Sequence, residues 1–469
     1  MFLMKKIAWK RLIIVIIISG IISNIGSSLH NFEEPHQNYP LGLSNSDSWS
    51  KILKEGGVLY YPRCELVNES LYIIGRMELE DKPKRYLYVS KFNTSGIMEW
   101  EVFYPDYDYL SYIFDNDNNL VILSYNYTTH NKFLIKLNSS GALLFSKELS
   151  LGVSYDLLLV LGGNNSLLLV YHSDFHKLTI TKFNNGGQFL WSKSFNIDFF
   201  EVPPYVVAPY IITDSGNNMY IYFENNSRYN MAKINSSGVI MWQMGVDRIR
   251  NLMIDSNDNL FILGGKSYNE GYILKLNSTG DQIKEIPIEG EYRTYDLWYL
   301  NDLLLYSEYY KLILCYDLNL DLKWNFSWSD YMIPHSNLQT FLAKDSHDNF
   351  YIIQNNRLGN IDLVKISSTG EFLSKIIWGG IFDEKPESLV IDLDNNIYFI
   401  CYCEYYNNWR DRFRYTIFVK NPVNGGTPPE PGSDLDMRDY FLFSVVGIAC
   451  IISPIALLSI LRRNKKRIG

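Results

Sequence analysis

One ten-residue stretch, Lys233-Ile234-Asn235-Ser236-Ser237-Gly238-Val239-Ile240-Met241-Trp242, is rewritten along this chain at a near-constant interval. Residues 91–100, 136–145, 182–191, 275–284 and 365–374 are close copies, and 315–324 is a worn one with Leu320 in place of the glycine. The glycine-equivalent positions run from 96 to 370 at a mean spacing of about 46 residues. Each copy reads as a strand, a tight polar turn and a second strand. A unit of this kind cannot bury its apolar faces alone, so its repetition restricts the chain to a stacked array of like parts.

A second signature precedes each copy: an apolar strand, a turn rich in Asp and Asn, then an apolar or aromatic strand. Asp115-Asn116-Asp117-Asn118-Asn119 leads into Leu120-Val121-Ile122-Leu123, and Asp214, Asp255, Asp345 and Asp392 open equivalent turns. Weaker versions sit at Asn68, Asn164 and Asn301. Asn, Asp and Gly tolerate positive φ and so belong at hairpin turns. Each unit is therefore four strands, A to D, with turns A–B and C–D. There are eight A–B turns but seven C–D turns, because the last unit stops near Phe418-Val419-Lys420. The missing strand D stands at the other end, in Ser48-Trp49-Ser50-Lys51-Ile52-Leu53, which aligns with Trp191-Ser192-Lys193. An N-terminal strand completing the last sheet closes a ring and removes its open edges. The expected fold is all-β, an eight-bladed β-propeller over about residues 47–421; seven blades would follow if unit three or unit six were an insertion.

The units resemble a β-propeller repeat family of bacterial and archaeal surface proteins, whose pattern is D-x-x-x-N-x-Y-x-x-G, then V-x-K-h-N-x-x-G-x-x-x-W. Asp392, Asn396 and Tyr398 fit the first half, and Lys233, Asn235, Gly238 and Trp242 the second. The glycine that ends strand B survives at Gly75 and Gly264. The resemblance implies a propeller in an extracellular setting and no enzyme activity.

The flanks fit that setting. Residues 1–28 have four basic residues, the apolar run Leu12 to Ile18 and small residues at Gly26-Ser27-Ser28, the layout of a secretory signal peptide or an uncleaved signal anchor. A linker follows at 29–46. After the body, 422–438 is a Pro/Gly-rich stalk, 439–461 is a bilayer-length apolar segment, and the basic tail at 462–469 holds its end in the cytoplasm. Stalk, helix and tail together resemble archaeal C-terminal cell-surface anchors. Setting aside the nine basic residues of the two ends leaves 34 basic against 51 acidic, and a body at −17 repels phosphate backbones, so no nucleic acid is expected as partner.

The Asp/Asn turns are the one place a metal could sit. Asp115 with Asp117 and Asp392 with Asp394 place carboxylates at alternate positions, as calcium loops do, but lack the glycine and closing glutamate of such loops, so hairpin turns are the plainer reading. Calcium apart, no cofactor is expected. Nine sequons, Asn68, Asn93, Asn126, Asn138, Asn164, Asn225, Asn235, Asn277 and Asn325, make an exported chain a glycoprotein, its sugars mostly on the turn-bearing face. The opposite face carries the B–C and D–A loops. Tyr107, Tyr109, Tyr292, Arg293, Tyr331, Tyr406, Trp409 and Arg410 fall on these as candidate ligand-binding residues, because aromatics and Arg give large contact area at low entropy cost. His172 and His176 are four apart in what reads as a loop after strand B and make a poor zinc site. A disulfide from Cys64 to Cys401 or Cys403 and buried free thiols both remain open.

The expected function is a non-catalytic, cell-membrane-anchored propeller that binds extracellular protein or glycan through its loop-rich face. Two alternatives stand beside it. A quinoprotein-type eight-bladed oxidoreductase shares the Trp that ends the unit after a Gly turn, but no vicinal cysteine pair or convincing Asp/Glu/Asn set accompanies it. A structural spacer in a surface layer would leave the loops without a ligand.

Overall fold

The computed structural model describes residues 48–421, apart from 54–56, 80–81, 152–154, 175–176, 197–210, 226–227, 268–269, 290–295, 301–302, 309–311, 328–339, 357, 380–382 and 408–410. The expected signal, linker, stalk, membrane helix and basic tail lie outside these residues; among the described residues no helix is long and apolar enough to cross a membrane.

The described residues form eight four-stranded antiparallel sheets, a β-propeller-type repeat fold. The first sheet is Gly57–Val67, Ser70–Leu79, Lys82–Asn93 and Met98–Pro105, in that spatial order. The second is Tyr107–Phe114, Leu120–Asn126, Lys132–Leu137 and Leu143–Leu149. Five more follow this plan. The eighth takes Asp383–Ile391, Ile397–Asn407 and Asp411–Lys420 from the end of the body and Trp49–Ile52 from its start. Trp49 pairs with Lys420 and Lys51 with Phe418.

Burial explains the hydrophobic pattern strand by strand. The middle strands B and C are covered on both faces by neighbouring sheets, so Leu120, Val121, Ile122 and Leu123 are all buried without alternation. Strand D is the outer edge, and copies such as Leu143–Leu149 and Ile240–Val246 alternate instead. One apolar cluster spans Ile74, Leu87 and Val89 of the first sheet and Ile122 and Leu137 of the second. Further clusters join each sheet to the next as far as the seventh. Trp378 meets Phe399 edge-on at 5.3 Å between seventh and eighth. The series then returns to its beginning: Leu53, Leu59, Tyr88 and Phe92 share a cluster with Tyr398, Ile400 and Phe418.

The repeated signature is the joint between sheets. Gly141, at φ +80, lies against the ring of Trp100 from the sheet before, and a Cβ there would come within 2.7 Å of it. Only glycine meets both demands. The Trp100 Nε1–H donates to Ser139 O of the same turn at 3.1 Å, and Trp324 to Ser368 O at 2.8 Å. The strand-C lysine reaches the same place: Lys233 Nζ and Trp242 Nε1 both donate to Ser278 O, at 2.9 and 3.4 Å. Its other partner is the A–B aspartate of its own sheet, as in Lys136–Asp115 at 2.6 Å, Lys233–Asp214 at 2.8 Å and Lys365–Asp345 at 3.2 Å. Strand D adds a further lysine contact, Lys147 to Gly187 O at 2.6 Å. Lys51 makes the equivalent bond to Gly96 O at 2.6 Å, so the N-terminal strand supplies the joint between the eighth sheet and the first.

These pairs fix a pH dependence. Burial alone would raise the carboxyl pKa of Asp115, Asp214 and Asp345, but hydrogen bonds from the lysine and from Asn119, Asn218 or Asn349 outweigh it and hold all three below 3.8. A depressed folded-state pKa gives stability that is complete above the unfolded value and is lost as pH falls through the folded one. The melting temperature of the full chain should therefore be flat from neutral pH down to about pH 5 and fall steeply below about pH 4. Stepwise thermal melts check this, and a flat profile through the acid range would refute it.

Two stretches depart from the sequence reading. Residues 104–109 read as a loop, yet strand Met98–Pro105 passes straight into Tyr107–Phe114 through Asp106 alone, at φ +66. Residues 404–414 also read as a loop; of these, 404–407 and 411–414 instead continue a strand pair, with Tyr406 opposite Arg412. Alternating Tyr and charged residues suit a half-covered strand as well as a recognition loop, and here the ladder takes them. His172 likewise belongs to strand Ser166–Asp174 and is buried, while His176 lies outside the described residues.

Candidate recognition site

At the loop-bearing ends of the first two sheets, aromatic and charged side chains collect around a break in strand pairing. Strand Gly57–Val67 pairs Tyr60 with Arg76 and then Arg63 with Ile74, so Tyr61 and Pro62 form a bulge. The bulge holds Tyr61 at φ +52, 63% exposed. Left-handed backbone costs a bulky residue about 1–2 kcal/mol. The surroundings impose it, since the Tyr109 hydroxyl donates to the Tyr61 carbonyl from the neighbouring sheet.

Arg76 is the centre of the cluster. Its guanidinium lies 4.8 Å from the Tyr60 ring and 5.5 Å from the Tyr61 ring. It pairs with Asp108 at 3.4 Å and Glu78 at 3.5 Å. Arg85 pairs with the same Glu78 oxygen at 3.2 Å and covers the Tyr127 ring at 4.8 Å. Tyr127 Oη donates to Asp108 at 3.0 Å, closing a circuit of two arginines, two carboxylates and one tyrosine, with the Tyr60 and Tyr61 rings against Arg76. The two carboxylates keep both guanidiniums oriented, leaving Tyr61 as the projecting surface.

Beneath it lies a second polar layer on the inner strands. Arg63 Nη1 donates to Glu387 O at 3.2 Å from the first sheet to the eighth, and Tyr112 Oη to Glu65 at 2.8 Å from the second to the first. Burial pushes the Tyr109 hydroxyl up to about 12, with Arg63 opposing the shift, and raises Tyr112 as well. Burial also raises Glu387, against the pull of Arg63 and Lys385. Tyr109 and Tyr112 are therefore neutral hydrogen-bond donors at neutral pH that tie the second sheet to the first, while Arg63 ties the first to the eighth.

Of the residues the sequence suggested, Tyr107 and Tyr109 are half-buried strand residues packed against the apolar core between the first two sheets, with Tyr107 edge-on to Phe133 at 5.3 Å. Tyr109 reaches the site through its hydroxyl on the Tyr61 carbonyl. Tyr406 is on a strand, and Tyr292, Arg293, Tyr331, Trp409 and Arg410 lie outside the described residues. Sequence reasoning missed Tyr61 and Arg76, because nothing in Tyr60-Tyr61-Pro62-Arg63 marks a bulge except the proline.

The proposed calcium aspartates are engaged in the turns. Asp115 Oδ1 accepts from the amides of Asp117 and Asn119 at 2.9 and 2.8 Å, while Oδ2 takes Lys136. Asp117 accepts from Asn165 Nδ2 at 3.0 Å, across to the third sheet. Asp392 accepts from Asn396 N at 2.7 Å and from Tyr398 Oη at 2.9 Å; Asp394 is exposed. Among the described residues no three His, Cys, Asp or Glu side chains converge as a metal set.

The sequons divide by what their oxygens do. Asn93, Asn138, Asn235 and Asn277 each turn Oδ1 onto the amides two and four residues ahead. Asn126 does the same at Thr128 and Thr129 but is buried. Asn68 and Asn164 stand at positive φ in exposed turns, Asn325 is exposed on a strand, and Asn225 pairs with Arg228. Cys64, Cys315, Cys401 and Cys403 are buried free thiols, with burial pushing Cys315 up to about 12.

No protein-family model matches the sequence, and no curated protein matches it. Among solved structures the chain is similar to BamB from Moraxella catarrhalis, at 14% identity and TM-score 0.47 over 79% of this chain and 98% of that one. A eukaryotic initiation factor matches at 11% identity and TM-score 0.44, over 68% and 78% of the two chains. Prolyl oligopeptidase B from Galerina marginata matches at 11% and 0.42, over 67% and 47%. Likeness at this level assigns no activity, and the fold rests on the sheets themselves.

Proposed function

We propose that this chain is a non-catalytic, membrane-anchored eight-bladed β-propeller, closed by its N-terminal strand, that binds a protein or glycan partner on the face opposite its hairpin turns. The single observation that carries the binding role is Tyr61, an aromatic ring held outward on a strained bulge and flanked by an oriented arginine. Strain kept in an exposed side chain is more readily explained by a surface it serves than by packing. A planar ring beside a fixed guanidinium and two carboxylates suits a sugar face with its hydroxyls, or an aromatic peptide side chain. The apolar segment at 439–461 with its basic tail supports anchorage.

The test is a glycan and peptide array probed with the detergent-solubilised full chain and its Tyr61→Asn variant. Asn accepts left-handed backbone, so the variant should gain about 1 kcal/mol of stability while losing binding. Retained binding, or a loss of binding accompanied by unfolding, would remove Tyr61 from the role assigned to it.

A further inference from the structure

The face that carries the hairpin turns has an unexpected surface. In all seven sheets with a C–D turn, pairing slips at the same place. Lys136 faces Phe145 and Leu137 faces Leu143, so Leu144 is left over as a bulge. Leu190, Met241, Ile283 and Leu373 occupy the same position in four other sheets. A bulge on an outer strand twists it away from further pairing, and it also turns two successive side chains outward where a regular strand would turn one. The left-over side chain is apolar in five of the seven sheets, and Glu99 and Lys323 hold the position in the other two. Twelve of the sixteen exposed large hydrophobic residues among the described residues lie one to three positions beyond a C–D turn. Leu144 is 50% exposed, Met241 55% and Ile283 52%. A solvated rim has no use for this composition, and exposed apolar side chains repeated from sheet to sheet mark a contact surface.

What covers it follows from where the chain leaves. Trp49 pairs with Lys420, Ser48 Oγ reaches Lys420 O at 3.5 Å, and Asn421 N donates to Ile397 O just past an A–B turn. Both ends of the body therefore depart on the turn-bearing face. Only 17 residues separate Asn421 from the apolar segment at 439–461. Even fully extended, 17 residues reach at most about 60 Å. The apolar side chains sit at equivalent positions of like units, so the repeat sets them at one level as a broad, shallow band. A broad apolar level beside a tethering segment fits a bilayer surface better than a compact partner, which would meet two or three units at once.

We infer that the turn-bearing face lies on the membrane, with the band at the second and third residues past each C–D turn seated in the interfacial layer of the lipid. This rests on the anchorage proposed above and adds an orientation to it: the Tyr61 face then points away from the cell. Each side chain contributes modestly, and the band acts through its number.

The experiment uses the full chain carrying Cys450→Ser, reconstituted into phosphatidylcholine–phosphatidylglycerol vesicles. A fluorophore is placed at Leu144→Cys or Ile283→Cys on the rim, or at Thr128→Cys on the opposite face. Headgroup spin-labelled lipid should quench the rim probes several-fold more than the Thr128 probe. Adding Leu190→Glu, Met241→Glu and Leu373→Glu should bring rim quenching down to the Thr128 level while the protein still floats with the vesicles. Equal quenching at rim and Thr128 in protein that floats overturns the orientation and leaves the anchor standing. Protein that fails to float overturns the anchor and the orientation with it. Rim-to-rim crosslinks between copies without lipid quenching would assign the band to self-association instead. Glycans found by peptide mass spectrometry at Asn93, Asn138, Asn235 and Asn277 would hold the face off the lipid and also refute the contact.

Discussion

Lys136→Met is expected to destabilise the body by about 3–5 kcal/mol, the usual cost of stranding one member of a buried ion pair. The Lys136 side chain is 4% exposed and that of Asp115 is fully buried, at 2.6 Å. Water cannot replace the lost ammonium, and Asp115 would have to take up a proton or remain an uncompensated charge. The same ammonium also donates to Asn185 O at 3.1 Å and to Asn185 Oδ1, so the variant loosens the joint between the second and third sheets as well. If the body unfolds as one unit, a loss of this size lowers the melting temperature by about 5 °C. The double variant Asp115→Asn/Lys136→Met removes both charges and should recover most of the loss, because neutral replacement of a buried pair is often harmless. Thermal and urea denaturation of both variants decide the matter. A single variant costing less than about 1 kcal/mol would place the pair among weak surface contacts.

The repeat was legible in the sequence because its most regular residues have geometric duties that few side chains can meet. Gly141 must accept positive φ and the face of Trp100, and that pair recurs often enough to be seen. Leu320 shows how far the rule bends: it keeps φ +59 without being glycine, and its buried side chain packs with Tyr316 and Leu297, offsetting the strain. The closing strand was legible too, because Trp49-Ser50-Lys51 copies Trp191-Ser192-Lys193. The partners of the signature lysines could not be read from the sequence. Lys233 looks like the end of a strand, and the carbonyl it binds lies 45 residues further on, in the next unit's turn. The recognition site was hidden for a related reason. Its inner layer joins Arg63 to Glu387 across 324 residues, and its outer layer hangs on a bulge that no periodicity announces. Tyr-rich stretches pointed instead to Tyr107, which packs on the apolar core, and to Tyr109, which holds the bulge through the Tyr61 carbonyl.

Deleting residues 49–52 is expected to do more damage than any single substitution. The deletion strips the outer edge of strand Asp411–Lys420, whose partners Trp49 to Ile52 pair with Lys420 to Ile417, and it removes the Lys51 bond to Gly96 O. It also disturbs the Leu53 amide, which donates to Thr416 O at 3.0 Å, and the cluster that joins the eighth sheet to the first. The uncovered edge reads Tyr415-Thr416-Ile417-Phe418-Val419, uncharged and rich in β-branched and aromatic residues, which is the composition that pairs with other copies. The deleted chain should therefore elute as aggregate in detergent, with a melting transition that is broad or missing. A circular rearrangement separates loss of the strand from loss of the N-terminus. Moving residues 48–53 to follow Asn421 through an Asn-Ser-Ser-Gly turn gives the eighth sheet the A-B-C-D order of the other seven, and this variant should elute as a monomer and melt near the parent. If the deletion alone stays monomeric and melts normally, the last sheet does not need its first-made strand, and closure must come from the side-chain joints between sheets. If both variants aggregate, strand order itself matters, and the N-terminal strand has a part in folding beyond filling an edge.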